Sequence, residues 1–292
     1  MTTATIETAQ TPQPQRTNKD YKSGNEPIWC PGCGDFGVLA SLYDTLAAKQ
    51  VDPKDVVFIS GIGCSSRLPG FVTTYGFHGV HGRTLPLAMG VKLANPQLTV
   101  IAVGGDGDAF AIGGGHIPHA CRRNIDITYV VMNNEIYGLT KGQTSPTSPL
   151  GLDTSSSPLG SVEKPLNPVA MCLINGATFV ARAYSGKRQE MTSIVTRGVE
   201  HKGFSFIDAY SPCITFYDTY KIWPKKLASL PPDHDTSELF SALKYAMDTE
   251  KIYLGVFYEK REPTLEERME AIQKLAQEKG IPKMEDFFEK FK

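Results

Sequence analysis

Thr99-Val100-Ile101-Ala102-Val103-Gly104-Gly105-Asp106-Gly107-Asp108 decides the fold. Five residues of β-branched or small apolar type form a short run that stops at two glycines. An aspartate between glycines follows, and a segment of helical length then begins. An unbroken apolar run of this kind, closed by glycine, reads as a strand buried on both faces. The pattern recurs in both directions along the chain. Residues 56–60 end at Gly61, residues 126–132 end at Asn133-Asn134, and residues 177–181 and 204–210 are two further runs. Helix-length segments lie between them, over residues 36–49, 85–94, 109–123 and 187–201. Apolar strands alternating with helices predict an α/β fold, a parallel sheet with helices on both faces. In such sheets ligands collect at the carboxyl ends of the strands, where this chain places its Gly, Asp, Asn and Cys clusters.

Outside that frame the pattern loosens. Residues 1–20, rich in Thr, Gln and Pro, read as a disordered leader with neither a signal-peptide core nor an Arg-rich transit pattern. Residues 21–217 form the binding domain. Residues 144–165, rich in Ser, Thr, Pro and Gly, are either a connector or a loop folded over a site. From residue 218 onward lies a C-terminal extension, expected to pack against another chain of the assembly, in which residues 265–279 read as a charged amphipathic helix. The 292 residues carry 30 basic and 31 acidic side chains, a formal charge of −1 that points to neither nucleic acid nor an anionic membrane. No apolar run reaches the ~18 residues of a membrane span. The cytoplasm is the default compartment, and six cysteines there argue for metal or redox use over disulfides.

Gly105-Asp106-Gly107 ends one strand and Asn134, 28 positions on, ends the next. A right-handed strand–helix–strand unit brings those two ends side by side. Asp106 and Asn134 can then share one small hard cation such as Mg²⁺, which usually takes only one or two protein side-chain oxygens and whose octahedron a backbone carbonyl and phosphate oxygens help to fill. The helix opening near Ala109 would aim its N-terminus at a diphosphate. Gly-Asp-Gly alone is a common turn; the Asn-Asn pair at this spacing and the Gly113-Gly114-Gly115 run, which costs roughly 1 kcal/mol per glycine in a helix, set it apart.

Cys30-Pro31-Gly32-Cys33-Gly34 is a C-x-x-C before a helix. It suits a zinc knuckle, a thioredoxin-type pair or half of an iron–sulfur site. The zinc reading lacks a second C-x-x-C, and the thioredoxin reading lacks a preceding strand. The cluster reading needs two more ligands, and Cys64 and Cys213 stand at strand ends on the same edge. Cys121 and Cys172 lie on apolar helical faces and read as structural. By spacing alone, a C-x-x-C with two distant single cysteines is a weak signal.

These motifs carry a resemblance. Gly105-Asp106-Gly107 followed by Asn133-Asn134 is similar to the diphosphate-binding motif of thiamine-diphosphate enzymes. Together with Cys30-Pro31-Gly32-Cys33-Gly34, Gly61-Ile62-Gly63-Cys64-Ser65 and His81-Gly82-Arg83-Thr84-Leu85-Pro86, in this order, it resembles the beta subunits of 2-oxoacid:ferredoxin oxidoreductases over about residues 25–215. The resemblance implies that Asp106, Asn134 and the carbonyl of Ile136 ligate Mg²⁺. It implies that Cys30, Cys33, Cys64 and Cys213 hold one 4Fe–4S cluster near the thiazolium ring. It places Ile62, Gly63, Cys64, Ser65, His81, Gly82, Gly105, Asp106, Gly107, Asp108, Asn134, Ile136, Gly138 and Leu139 around thiamine diphosphate. It also implies an alpha subunit, bringing the pyrimidine domain and its activating glutamate, in a heterodimer or an alpha2beta2 assembly.

The implied reaction is oxidative decarboxylation of a 2-oxoacid with coenzyme A, electrons leaving one at a time to ferredoxin, reversible to CO₂ fixation. The segment 138–147, with Lys141, is similar to that of members taking 2-oxoglutarate or a broad set of acids. Arg67 and Lys141 are candidate clamps for a substrate carboxylate, each equally readable as a solvated cation. His81 is a candidate near the reacting centre or a structural histidine. Pyruvate or another 2-oxoacid is the alternative substrate. A non-oxidative thiamine enzyme subunit and a zinc-binding interaction module are the more distant alternatives.

Overall fold

A computed structural model describes residues 15–280 and 284–291. Eight strands form one sheet in the order β2-β1-β3-β4-β6-β5-β8-β7. The centre is β1 (Val56–Ser60), β3 (Thr99–Gly105), β4 (Ile127–Asn133), β6 (Phe204–Tyr210) and β5 (Phe179–Tyr184), all parallel. Every residue of β1, β4, β5 and β6 is buried. Side chains alternate between the faces, as a pleat requires. On one side, Val57, Ile59, Ala102, Tyr129 and Phe206 meet α2 (Thr84–Ala94), α4 (Ile117–Arg123), α5 (Pro168–Ile174) and α7 (Leu239–Ala246). On the other, Phe58, Ile101, Val130 and Ile207 meet α1 (Asp35–Lys49) and α6 (Arg188–Glu200). Helix α1 offers Val38, Leu42 and Leu46 at four-residue spacing, each fully buried. Burial of such side chains contributes about 1.5–3 kcal/mol each.

The helix expected over residues 109–123 is broken. A short α3 (Asp106–Phe110) starts three residues early, a 3-10 turn occupies Gly114–His116, and α4 resumes at Ile117. The cause is Gly113, where an added Cβ would stand 2.3 Å from the Asp108 carbonyl oxygen and 3.1 Å from Gly82 Cα. The backbone dips there to touch the loop that follows β2 (Tyr75–His78). Gly114 and Gly115 have open space around them. Gly113→Ala should therefore cost ~1–3 kcal/mol through forced backbone movement, whereas Gly114→Ala should be neutral or slightly stabilising. Thermal melts of the two variants check this; equal melting points would contradict the close approach.

The stretch expected to be a leader meets the described chain at its end. Residues 1–14 lie outside the described residues, while Arg16 bonds Asp52 at 3.0 Å and Asn18 bonds Asp44 at 3.1 Å, against α1. Beyond residue 218, β8 (Ile252–Glu259) runs antiparallel to β5, and β7 (Leu227–Ser229) pairs parallel with β8, so the extension widens the main sheet. Helix α8 (Leu265–Glu278) starts at a capping box between Thr264 and Glu267 and buries no residue; α9 (Met284–Glu289) follows. Among the described residues no helix is long and apolar enough to cross a membrane.

Candidate active site

The carboxyl ends of β1, β3 and β4 open into a cleft of about 460 Å³. All fourteen residues expected around the cofactor, except Gly82, line it, joined by Tyr137, Thr140 and Gln143. Gly82 acts one step away, its N–H donating to Asp108 Oδ1 at 2.7 Å. Asp108 also accepts from the N–H of Ile62 at 2.9 Å and, on Oδ2, from the Thr84 hydroxyl at 2.9 Å. It thereby ties the loops after β1 and β2 to α3. Gly61 must be a glycine, because a Cβ there would meet that carboxylate at 2.1 Å.

Asp106 is 2% exposed. Its Oδ2 accepts the hydroxyls of Ser145 (2.5 Å) and Thr147 (2.7 Å), and the carboxylate lies beside the backbone N–H of Asn134. Burial nevertheless pushes its pKa up from the ordinary range, since these bonds offset only part of the lost hydration. Asn134 turns the chain, its Oδ1 accepting the Ile136 N–H at 3.1 Å. A Cβ on Gly107 would stand 2.2 Å from the Tyr137 ring, and the Tyr137 hydroxyl donates to the Gly107 carbonyl at 3.1 Å. Glycine at 107 thus makes room for the Tyr137 ring, and both residues line the cleft. A buried carboxylate with one oxygen saturated and a side-chain amide beside it is a donor set a hard divalent cation would complete. His81 Nδ1 lies 3.1 Å from Asp108 Oδ1 without hydrogen-bond geometry, a buried polar atom left unpartnered at the cleft wall.

The Ser/Thr-rich segment 144–165 supplies Ser145, Thr147 and Ser148, all buried beneath the site. It folds onto the site, and sequence reading had no signal for which hydroxyls would do so. Arg67 and Lys141 are exposed and do not line the cleft. Lys141 sits at φ +76°, in the loop tied by Tyr137–Gln143 pairing whose neighbours Leu139 and Thr140 do line it.

The four candidate cluster cysteines lie near one another at the same edge, Cys33 within electrostatic reach of Cys64 and Cys213, and Cys64 of Cys30 and Cys213. The C-x-x-C turn is fastened there by Gly34 N–H to Pro212 O (2.9 Å), Ser211 hydroxyl to Asp35 (2.5 Å) and Trp29 indole to Cys64 O (2.7 Å). The sulfurs of Cys64 and Cys213 stand 3.6 and 3.9 Å from where a Gly138 side chain would begin. Burial, then the neighbouring Asp35 charge, pushes the Cys64 thiol up to about 11 and Cys33 higher still. A positively charged iron centre would reverse that penalty. Cys121 and Cys172 are buried in the core on α4 and α5. Among the described residues no three His, Cys, Asp or Glu converge where a single ion could sit. A cubane is held through separate irons, so its thiolates surround a volume and need not meet at a point.

Comparison with known proteins places this architecture in a class. The family "Thiamine pyrophosphate enzyme, C-terminal TPP binding domain" matches residues 61–209. The family of the C-terminal region of pyruvate ferredoxin oxidoreductase beta subunits matches residues 213–274. The beta subunit of 2-oxoacid:ferredoxin oxidoreductase 1 from Aeropyrum pernix is 40% identical over 281 residues, covering 87% of this chain and 88% of that protein. The 2-oxoglutarate oxidoreductase subunit KorB of Mycobacterium tuberculosis is 47% identical over 208 residues, 71% of this chain but 56% of that protein's length. A solved structure, 2-oxoglutarate:ferredoxin oxidoreductase from Magnetococcus marinus with 2-oxoglutarate, coenzyme A and succinyl-CoA bound, superposes with a TM-score of 0.88 at 43% identity, covering 90% of this chain and 91% of that one. This chain belongs to the 2-oxoacid:ferredoxin oxidoreductase beta-subunit family, and it is KorB-like within it.

Proposed function

We propose that this chain, with an alpha subunit that brings the pyrimidine domain, oxidatively decarboxylates 2-oxoglutarate to succinyl-CoA. The C1–C2 bond breaks, CO₂ leaves, the thiol of coenzyme A forms the thioester, and two electrons and a proton are released. The electrons pass through one 4Fe–4S cluster to ferredoxin, and the reaction is reversible toward CO₂ fixation. The observation that carries this reading is the shared wall at Gly138. The glycine lines the cleft, and the Cys64 and Cys213 sulfurs lie within van der Waals reach of its missing side chain. A cofactor in the cleft would thus abut a redox centre on those thiols with no side chain between.

Bound thiamine diphosphate supplies the carbon nucleophile and electron sink, and the cluster a one-electron relay. The protein supplies position. Asp106, Asn134 and the Ile136 carbonyl would hold Mg²⁺ on the diphosphate; Cys30, Cys33, Cys64 and Cys213 would hold the cluster. Gly105 and the first turn of α3, Asp106–Asp108, line the cleft where the diphosphate would sit. Leu139, next to Gly138 and 54% exposed in the open cleft, would help exclude water from the reacting centre once cofactor and alpha subunit cover it. Free coenzyme A and a reduced carrier place the reaction inside the cell.

The bound 2-oxoglutarate of the Magnetococcus marinus enzyme supports that substrate. Lys141, on the loop rimming the cleft, is the candidate partner for its distal carboxylate, and Arg67 the second. The test is ferredoxin reduction by the alpha–beta complex, with coenzyme A, across a panel of 2-oxoacids. Wild type should prefer 2-oxoglutarate. Lys141→Ala should raise KM for 2-oxoglutarate ~10–100-fold, the worth of one charge-assisted bond, and leave pyruvate unaffected. Preference for pyruvate would discard the clamp and keep the reaction type.

A further inference from the structure

A buried polar relay runs from Asp106 across the sheet to a charge pair that faces no cofactor. The Thr147 hydroxyl stands between Asp106 Oδ2 (2.7 Å) and Asn133 Oδ1 (3.0 Å), its one proton shared between the two acceptors and nearer the carboxylate. Asn133 Oδ1 also accepts the Glu135 N–H at 3.3 Å, which closes the turn carrying Asn134. Asn133 Nδ2 donates to Asp208 Oδ1 at 3.0 Å, and Asp208 Oδ2 accepts Arg182 Nε at 2.9 Å. The Arg182 side chain is 7% exposed and that of Asp208 fully buried.

Such a pair is expensive to bury and is weak support for stability by itself. Its surroundings show that it is held in one geometry. The Arg182 guanidinium lies 5.2 Å from the Tyr210 ring centre and 5.4 Å from that of Phe257, which β8 contributes. Tyr210 packs in turn against Trp223, the ring centres 4.6 Å apart and the planes tilted by 39°, and Trp223 lies beside the Glu135 carboxyl. Glu135 itself is at φ +60°, a left-handed conformation that a non-glycine residue adopts only when its surroundings impose it. The turn bearing Asn134 and Ile136 is therefore fixed from below by β5, β6 and the C-terminal extension.

We infer that Asp208, with Arg182 behind it, is a positioning residue for the metal–diphosphate site, acting through Asn133 on Asn134 and through Thr147 on Asp106. This rests on the functional reading above, because it assigns Asn134 and Asp106 to Mg²⁺. Asn133 orients one ligand-bearing turn, and the Thr147 hydroxyl links that turn to the other ligand. Saturating Asp106 Oδ2 leaves Oδ1 as the metal oxygen. Outer partners of this kind set metal affinity by 10–100-fold in general.

The test compares two double variants in the alpha–beta complex. Both remove the charge pair together, so neither strands a buried ion: R182M/D208N and R182M/D208L. Asparagine at 208 keeps an oxygen for Asn133 Nδ2; leucine, of similar size, offers none. Calorimetric titration with Mg²⁺ and thiamine diphosphate should give R182M/D208N a Kd near wild type and R182M/D208L a Kd ~10–100-fold weaker. Saturating Mg²⁺ should restore the kcat of the leucine variant, which a general packing defect would not allow. Thr147→Val gives an independent arm: it should weaken Mg²⁺ binding on the same scale, with rescue by Thr147→Ser. Equal affinity in the two double variants, or unchanged affinity in Thr147→Val, overturns the inference. A wild-type complex that binds no thiamine diphosphate overturns the functional reading together with it.

Discussion

Asp106→Ala is expected to abolish Mg²⁺-dependent binding of thiamine diphosphate and all turnover while the sheet remains folded. The carboxylate lies at the carboxyl end of β3, 2% exposed, and among the candidate Mg²⁺ ligands it alone is an acid. Asn134 offers an amide oxygen and Ile136 a carbonyl, so without Asp106 no protein charge remains to oppose the dication. Loss of the alanine variant's metal affinity should exceed the 10–100-fold assigned to outer partners, because an inner oxygen and its charge go together. The fold should tolerate the change better than most core truncations. Burial already raises the carboxyl's pKa, so its removal relieves a desolvation penalty. Ser145 and Thr147 keep alternative partners in each other, Ser148 and Asn133. Calorimetry with cofactor and a melting curve read the two parts separately. Full activity in Asp106→Ala would remove the residue from the metal site; loss of folding would show that its role is chiefly structural.

The central strands were legible because both of their faces are covered. Five apolar runs predicted β1, β3, β4, β5 and β6, two of them, Val56–Ser60 and Phe204–Tyr210, to the residue. What periodicity could not announce was a strand without that cover. β2 is exposed at all four positions, Tyr75-Gly76-Phe77-His78, and presents no apolar contrast. β8 is apolar enough, but it returns antiparallel to β5 across roughly seventy residues of chain, with a register shift at Val180/Ala181. A reading built on strand–helix–strand units has no place for it. Helix α4 was joined to α3 because the reason for the break is tertiary, Gly113 against Gly82 and Asp108.

The site divides the same way. Motif residues were visible because they crowd the turns after strands, where glycine, aspartate and asparagine have few structural alternatives. Their supports were not. Ser145 and Thr147 lie in a segment whose composition suits a connector equally well. Asp208 sits inside a strand that read as core and Arg182 directly after the run 177–181, and only the parallel register pairing Arg182 with Asp208 and Val131 with Asp208 shows that they face one another and the β4 turn. Asp108, expected among the residues around the cofactor, proves to be a tie within the site, its oxygens taken by Ile62, Gly82 and Thr84.

Cys213→Ser is expected to separate the two cofactors. Cys213 follows β6 and pairs across a short bridge with Tyr217, and its sulfur stands 3.9 Å from where a Gly138 side chain would begin. The hydrogen bonds that hold Asp106 and Asn134 come from Ser145, Thr147 and Ile136 and not from Cys213. Thiamine diphosphate and Mg²⁺ should therefore bind with wild-type affinity. The cluster should be lost or converted to a form lacking one iron, because a serine hydroxyl ionises far less readily than a thiol and is the harder, poorer ligand for iron in a sulfide cubane. Ferredoxin reduction should fall by orders of magnitude, since no other described residue of this chain offers a relay beside the cleft. Visible absorption and iron and sulfide content after anaerobic purification read the cluster, and calorimetry reads the cofactor. An unchanged spectrum would remove Cys213 from the ligand set. Zinc without sulfide in the wild-type protein would remove the cluster altogether, leaving a C-x-x-C metal knuckle beside a thiamine site. Retained ferredoxin reduction in a cluster-free variant would require the electrons to leave the cleft by another wall, away from Gly138.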